Sequence, residues 1–143
     1  AFANIQKNVF SRLPKAKILG IVFQPMAAGF EVICGARRDP QFGPVVLAGI
    51  GGIYAEVFKD VSLRLSPVSR SDARELLSEL HSYPILKGMR GKPSYDMESL
   101  VDIINKLSHI MIDFPEILEI DLNPVMVGEA REGAMIVDFR IVF

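Results

Sequence analysis

Tryptophan is absent from this chain, and cysteine occurs once, as Cys34. A single thiol excludes an internal disulfide framework and fits a reducing, cytoplasmic compartment. Cys34 lies in the apolar run from Phe30 to Gly35, where an inert buried thiol is expected rather than a nucleophile. Neither sign of charge dominates: 16 Lys and Arg stand against 17 Asp and Glu, for a formal net charge of −1. That balance leaves no electrostatic footprint for nucleic acid or an anionic membrane. No apolar run is long enough to span a bilayer, and no signal-peptide pattern is visible. The two histidines, His81 and His109, have no Cys, His or Asp at metal-ligand spacing and read as structural. A nucleophile elbow and a catalytic-triad spacing are missing as well.

What is present is a chain of 143 residues, half of them hydrophobic, the size of one domain. Such a chain can bury roughly 70% of the surface it exposes when unfolded. Phe2, Ile5, Val9 and Phe10 predict a helix over residues 2–12, and Ile18 to Gln24 reads as a strand ended by Pro25. Residues 30–37 and 44–48 read as a hairpin around the turn formers of 38–43. Residues 57–67 alternate as a half-buried strand does. Ser69 caps a helix whose stripe is Ala73, Leu76, Leu77 and Leu80, closed by Pro84. Asp96 caps a second helix that runs through Leu100, Ile104, Leu107 and Met111 to Phe114 and Pro115. Two apolar runs, 117–127 and 134–143, flank a polar turn at 128–133. Strands, then two helices, then strands favour an α+β layer, a mostly antiparallel sheet with helices packed on one face.

The run Glu119-Ile120-Asp121-Leu122-Asn123-Pro124 is followed, fifteen residues after Asn123, by Asp138. Asp121 and Asn123 share a strand face, and a hairpin can bring Asp138 beside them. Hard oxygen ligands of this kind suit Mg²⁺; the plainer alternative is that Asn-Pro starts a turn and Asp138 is a solvated strand residue. The loop Gly49-Ile50-Gly51-Gly52 is neither a dinucleotide fingerprint nor a phosphate-binding P-loop, since Tyr54 occupies the third glycine's place and no Gly-Lys-Ser/Thr follows. Its glycines either let backbone amides approach a phosphate or make a tight turn. Glu56 beyond it, and Glu31, are either ligand contacts or solvated carboxylates. Arg37, Arg38, Arg64 and Arg90 are candidates for phosphate contact, Arg90 foremost because it sits between two glycines in a basic loop.

Several segments, in order, resemble the ATP-grasp part of the ADP-forming (NDP-forming) acyl-CoA synthetases, which include acetyl-CoA synthetase and, more distantly, the succinyl-CoA synthetase β subunit. They are Gly29-Phe30-Glu31-Val32-Ile33-Cys34-Gly35, Arg38-Asp39-Pro40-Gln41-Phe42-Gly43-Pro44-Val45, Gly49-Ile50-Gly51-Gly52-Ile53, Tyr83-Pro84-Ile85-Leu86-Lys87-Gly88-Met89-Arg90-Gly91, the Asn-Pro run and Asp138-Phe139-Arg140-Ile141. The resemblance implies the second ATP-grasp subdomain, and a nucleotide-binding role in converting acyl-CoA, ADP and phosphate to acid, CoA and ATP through an acyl phosphate and a phosphohistidine. It implies Mg²⁺ at Asn123 and Asp138, the adenine and ribose of ATP or ADP near Gln24 to Met26 and Glu31, and a link between the glycine loop with Glu56 and the phosphohistidine region. With the reading of the residues themselves, Gly51 and Gly52 are then the expected phosphate approach, and Glu56 and Arg90 the expected catalytic residues. CoA-binding and ligase domains or subunits, within an oligomer, are the implied partners. Residues 1–143 are then expected to be one partial domain without the first subdomain's lysine and flap, and inactive by themselves. Asp138-Phe139-Arg140 departs from the family's Asp-Ala-Arg while leaving the ligand intact. The competing expectation is a non-catalytic regulatory or assembly module of the same fold, as in a fusion with a protein acetyltransferase.

Overall fold

The computed structural model describes residues 1–52, 59–89 and 91–143, so the expected catalytic residues Glu56 and Arg90 lie outside the described residues. Six strands form one antiparallel sheet: β1 (Phe30–Asp39), β2 (Gly43–Ile50), β3 (Val61–Leu65), β4 (Glu119–Val127), β5 (Ala134–Ile136) and β6 (Phe139–Val142). Their order is β3-β2-β1-β4-β5, with β6 pairing the other half of β4. Among the described residues the helices are α1 (Phe2–Arg12), α2 (Arg70–Ser78), α3 (Tyr83–Leu86) and α4 (Met97–Asp113). None of the helices among the described residues is long and apolar enough to cross a membrane.

Alternation decides which face of the sheet is covered. Val32, Cys34 and Ala36 of β1, Val46 and Ala48 of β2, and Ile120, Leu122, Val125 and Val127 of β4 are buried under α2 and α4. From α4, Leu100, Val101, Ile104, Leu107 and Met111 pack into this layer. Each such side chain contributes about 1.5–3 kcal/mol by leaving water. Cys34 sits at the centre, fully buried, and burial pushes its thiol pKa up to about 12, which keeps it inert.

Local chemistry sets the ends of the elements. Asp39 makes the β1–β2 turn, its carboxylate accepting from the amides of Gln41 (2.8 Å) and Phe42 (2.9 Å). Ser69 and Asp72 form a reciprocal capping box at α2. Asp96 caps α4 through the Ser99 amide. At the other end of α4, the Arg38 guanidinium donates to the carbonyls of Met111 (2.6 Å) and, beyond the helix, Ile117 (3.3 Å). These carbonyls have no intrahelical partner, so a cation from the strand layer satisfies them.

Three expectations are revised. Residues 18–24 form no strand: the whole stretch 13–29 lacks helix and strand, and Leu19, Val22 and Phe23 are exposed, because no neighbouring strand offers a ladder. Pro84 does not simply close α2; it opens α3, where its missing amide costs nothing. The final run is broken into β5 and β6 rather than continuous, for a reason that belongs to the site.

Two predictions follow from the layer contacts. Arg38→Ala should cost about 1–3 kcal/mol, the usual size for a charged donor lost from half-buried acceptors, read as a lowered melting temperature. Glu79 is held by the Arg64 guanidinium and the Ser62 hydroxyl, which bring its carboxyl down from 4.5 to about 2. Its folded pKa lies below its unfolded one, so its contribution is complete above about pH 4.5 and drains away as pH falls toward 2. Glu79→Gln should therefore flatten the loss of melting temperature across that window; identical pH profiles for both proteins would show the contact to be absent in solution.

Candidate functional site

Among the described residues, α2 and α4 pack on one face of the sheet, while the other, the open face, displays exposed side chains such as Glu31, Arg37 and Asn123. β4 lies between β1 on one side and β5 with β6 on the other, so a proline within it has no amide for the ladder. The strand answers with a bulge: Val32 pairs Val125 and Cys34 pairs Leu122, so Asn123 and Pro124 together oppose the single residue Ile33. The extra residue keeps Leu122 and Val125 on the core side while Asn123 is exposed. The edge strand breaks to match. The Asn123 amide donates to the Asp138 carbonyl (3.1 Å), and the Val137 amide donates to the Pro124 carbonyl (3.0 Å). Residues 137 and 138 thus clasp the bulge between β5 and β6.

The sequence-predicted residues Asn123 and Asp138 are therefore direct backbone neighbours, both exposed. The Asp138 carboxylate accepts from the following Phe139 amide (2.8 Å). Asp121 projects away from the core, as Asn123 does, and pairs Arg140, whose guanidinium bridges to Glu119. Among the described residues no group of three or more His, Cys, Asp or Glu converges on a metal position. An amide oxygen and a carboxylate fit a divalent cation that draws the rest of its shell from water and phosphate oxygens, the usual habit of Mg²⁺.

Glu31, Gly51 and Gly52 also come together. The Gly51 amide donates to the Glu31 carbonyl (2.8 Å), which carries the β1–β2 register one rung beyond the Val32–Ile50 pair. A Cβ at Gly51 would lie 2.9 Å from the Glu31 carbonyl carbon. Gly52 has φ +68, and a Cβ there would collide with Glu31 Oε2. Glycine at both positions is thus required by the close approach to Glu31. Glu31 pairs Met126 across the ladder, three residues along β4 from Asn123.

Next to Met126 is a cleft of about 260 Å³ lined by Met26, Ala27, Ala28, Met126, Met135 and the Gly128–Gly133 turn. Met26 therefore joins the predicted group, while Gln24 is exposed and does not line this cleft. Met126 and Met135 escaped the sequence reading. They are ladder partners across the β4–β5 hairpin, two residues before Gly128 and two after Gly133, and that symmetry about the turn was the available signal. Of the arginine candidates, Arg38 caps α4 and Arg64 is bound to Glu79 on the helix side, so both are engaged away from the open face. Arg37 is exposed on that face, in register with Glu119. A larger cleft of about 410 Å³ lies between Ile50, Asp60, His81, Ser82 and Ile85. Asp60 there accepts from the amides of His81 and Ser82 (2.8 Å each), which makes it a support for the start of α3.

The family model of an ATP-grasp domain matches residues 1–143, and the chain belongs to that family. It is 47% identical over 143 residues to ADP-forming acetate–CoA ligase I of Archaeoglobus fulgidus, covering 99% of this chain and 21% of that protein. It is 43% identical to the β subunit of ADP-forming acetate–CoA ligase I of Pyrococcus furiosus, covering 99% of this chain and 61% of the subunit. The chain thus spans about three-fifths of the second relative and a fifth of the first. A solved dinucleotide-forming acetyl-coenzyme A synthetase 1 of Ca. Korarchaeum cryptofilum superimposes with TM-score 0.77 at 41% identity, over 85% of this chain and 55% of that one. That protein is in complex with coenzyme A and Mg-AMPPCP, its phosphohistidine segment pointing towards the nucleotide binding site.

The contact between Gly52 and Glu31 is testable by coupling. Gly52→Ala should cost about 1–2 kcal/mol, from a side chain in the left-handed region and the clash with the carboxylate. Adding Glu31→Ala should recover part of that loss, read as non-additivity in a double-mutant cycle by thermal or urea unfolding. Strict additivity would mean that the two residues do not touch.

Proposed function

We propose that this chain is the nucleotide-binding part of an ADP-forming acyl-CoA synthetase, an acid–thiol ligase that converts acyl-CoA, ADP and phosphate to acid, CoA and ATP. The observation that carries this reading is the clasp of Asn123 and Asp138 at the β4 bulge, on the same stretch of sheet as Glu31 under Gly51 and Gly52. The names of the relatives support it.

In this reading Asn123 and Asp138 hold Mg²⁺, which supplies neutralisation of the phosphate charge when bound. Glu31 accepts from the ribose hydroxyls. The cleft of Met26, Met126 and Met135 takes the nucleobase, since polarizable thioethers lie well against a flat ring. The Gly51–Gly52 turn lets the nucleotide approach the backbone closely. Phosphoryl transfer asks the protein for position and charge more than for covalent help, and a row of oxygen ligands on one rigid face supplies the first. Arg90 carries charge on the transferred group, and Glu56 works on the phosphohistidine side. Residues 1–143 form one wall of the cleft in this account; a first subdomain with its lysine and flap, and the CoA-binding and ligase parts, complete the machine in the cytoplasm. The chain alone should bind nucleotide weakly and not turn over, because half a cleft neither excludes water nor orients the nucleophile.

The test is a calorimetric titration of Mg–ADP into the complete protein. Asn123→Ala and Asp138→Ala should each raise Kd by roughly tenfold or more, the carboxylate variant more steeply because it also removes charge. Equal affinity in all three proteins would favour the non-catalytic module with the same fold.

A further inference from the structure

One carboxylate that does not face the nucleotide side joins two elements at the rim of the methionine cleft. Asp96 Oδ1 accepts from the Ser99 amide (3.1 Å), which caps α4. Its Oδ2 accepts from the Gly133 amide (2.9 Å), in the turn between β4 and β5. The Asp96 amide in turn donates to the Gly128 carbonyl (2.9 Å), at the other end of the same turn. The two ends are also joined to each other, Gly128 amide to Gly133 carbonyl (2.9 Å). Ala130 donates to the Ser94 carbonyl (2.9 Å), so the chain just before α4 runs along the turn. Burial pushes the Asp96 pKa up, but the amides of Ser99 and Gly133 outweigh it and hold the group ionised below the ordinary range. Gly128, Glu132 and Gly133 are the part of the turn that lines the cleft.

We propose that Asp96 is a positioning residue for nucleotide binding: one oxygen serves the helix, and the other fixes the Gly128–Gly133 turn in the shape that walls the nucleobase cleft. This rests on the nucleotide reading above. Without the second contact the backbone bonds from Asp96 to Gly128 and from Ala130 to Ser94 still hold the near side of the turn, but the Gly133 end, which leads into Ala134 and Met135 at the cleft, loses its tie to the helix layer.

The two duties of Asp96 can be separated. Serine caps helices about as well as aspartate, but has one oxygen on a shorter arm and does not reach Gly133. In the complete protein, Asp96→Ser should keep the α4 cap with only a modest fall in melting temperature from the lost Gly133 contact, accelerate hydrogen exchange at the Gly133 amide, and raise the Kd for Mg–ADP about tenfold at temperatures where the protein is fully folded. In turnover assays the loss should appear in KM for ADP with kcat retained. Asp96→Asn offers one acceptor to two amides and serves as the second variant: its Kd should rise only if Gly133 exchanges faster. A variant in which Gly133 exchanges freely while Kd stays at the wild-type value overturns the proposal, as does a loss of affinity that merely follows a loss of stability. Failure of the wild type itself to bind Mg–ADP removes the nucleotide reading and this proposal with it, and is distinct from a wild type that binds no better than Asp96→Ser.

Discussion

Pro124 has no hydrogen to give to a neighbouring strand, yet it sits in β4, which is flanked on both sides. Much of the architecture of the open face answers that single deficit. The bulge absorbs the residue that cannot pair. It also resets the alternation, so that Ile120 and Leu122 before it and Val125 and Val127 after it all reach the core. The edge strand divides into β5 and β6 around the irregularity, and the division puts Asp138 directly against Asn123. A straight β4 would have placed either the upstream or the downstream pair of apolar residues on the wrong face.

The second organising fact is the unequal treatment of the two faces. The helix-facing side holds the buried aliphatic core and the well-satisfied polar contacts, with Arg38 on the α4 carbonyls and Arg64 on Glu79. The opposite side keeps glycine at its closest crossings and displays Glu31, Asp121, Asn123 and Arg37. It also leaves Val61, Leu63 and Leu65 of β3 about half exposed. An antiparallel sheet commonly has one face packed on the core and one facing water, and the described residues follow that division.

Most of the regular elements could be read from residue order because each carried its own local cause. Asp96 and the stripe from Leu100 to Met111 announced α4; Ser69 with Asp72 announced α2; the residues around Asp39 announced the first hairpin. The juxtaposition of Asn123 with Asp138 was legible too, since a hairpin centred on 128–133 brings those positions level. What was not legible depended on partners distant in the chain. Ile18 to Gln24 has strand-like composition but no strand beside it. Arg38 and Arg64 were candidates for phosphate contact with an ordinary surface charge as the commoner alternative, and their partners Met111 and Glu79 lie too far along the chain to be read locally. The duty of Asp96 toward Gly133 spans 37 residues and leaves no trace in a local window.

Helix α4 is fastened at both extremities, by Arg38 at its end and through Asp96 to the Gly128–Gly133 turn at its start. A beam secured in this manner makes sheet and helix layer a single unit, with little freedom to be surrendered when something settles on the exposed side. Recognition on the sheet side of such a unit is not taxed by ordering the sheet itself.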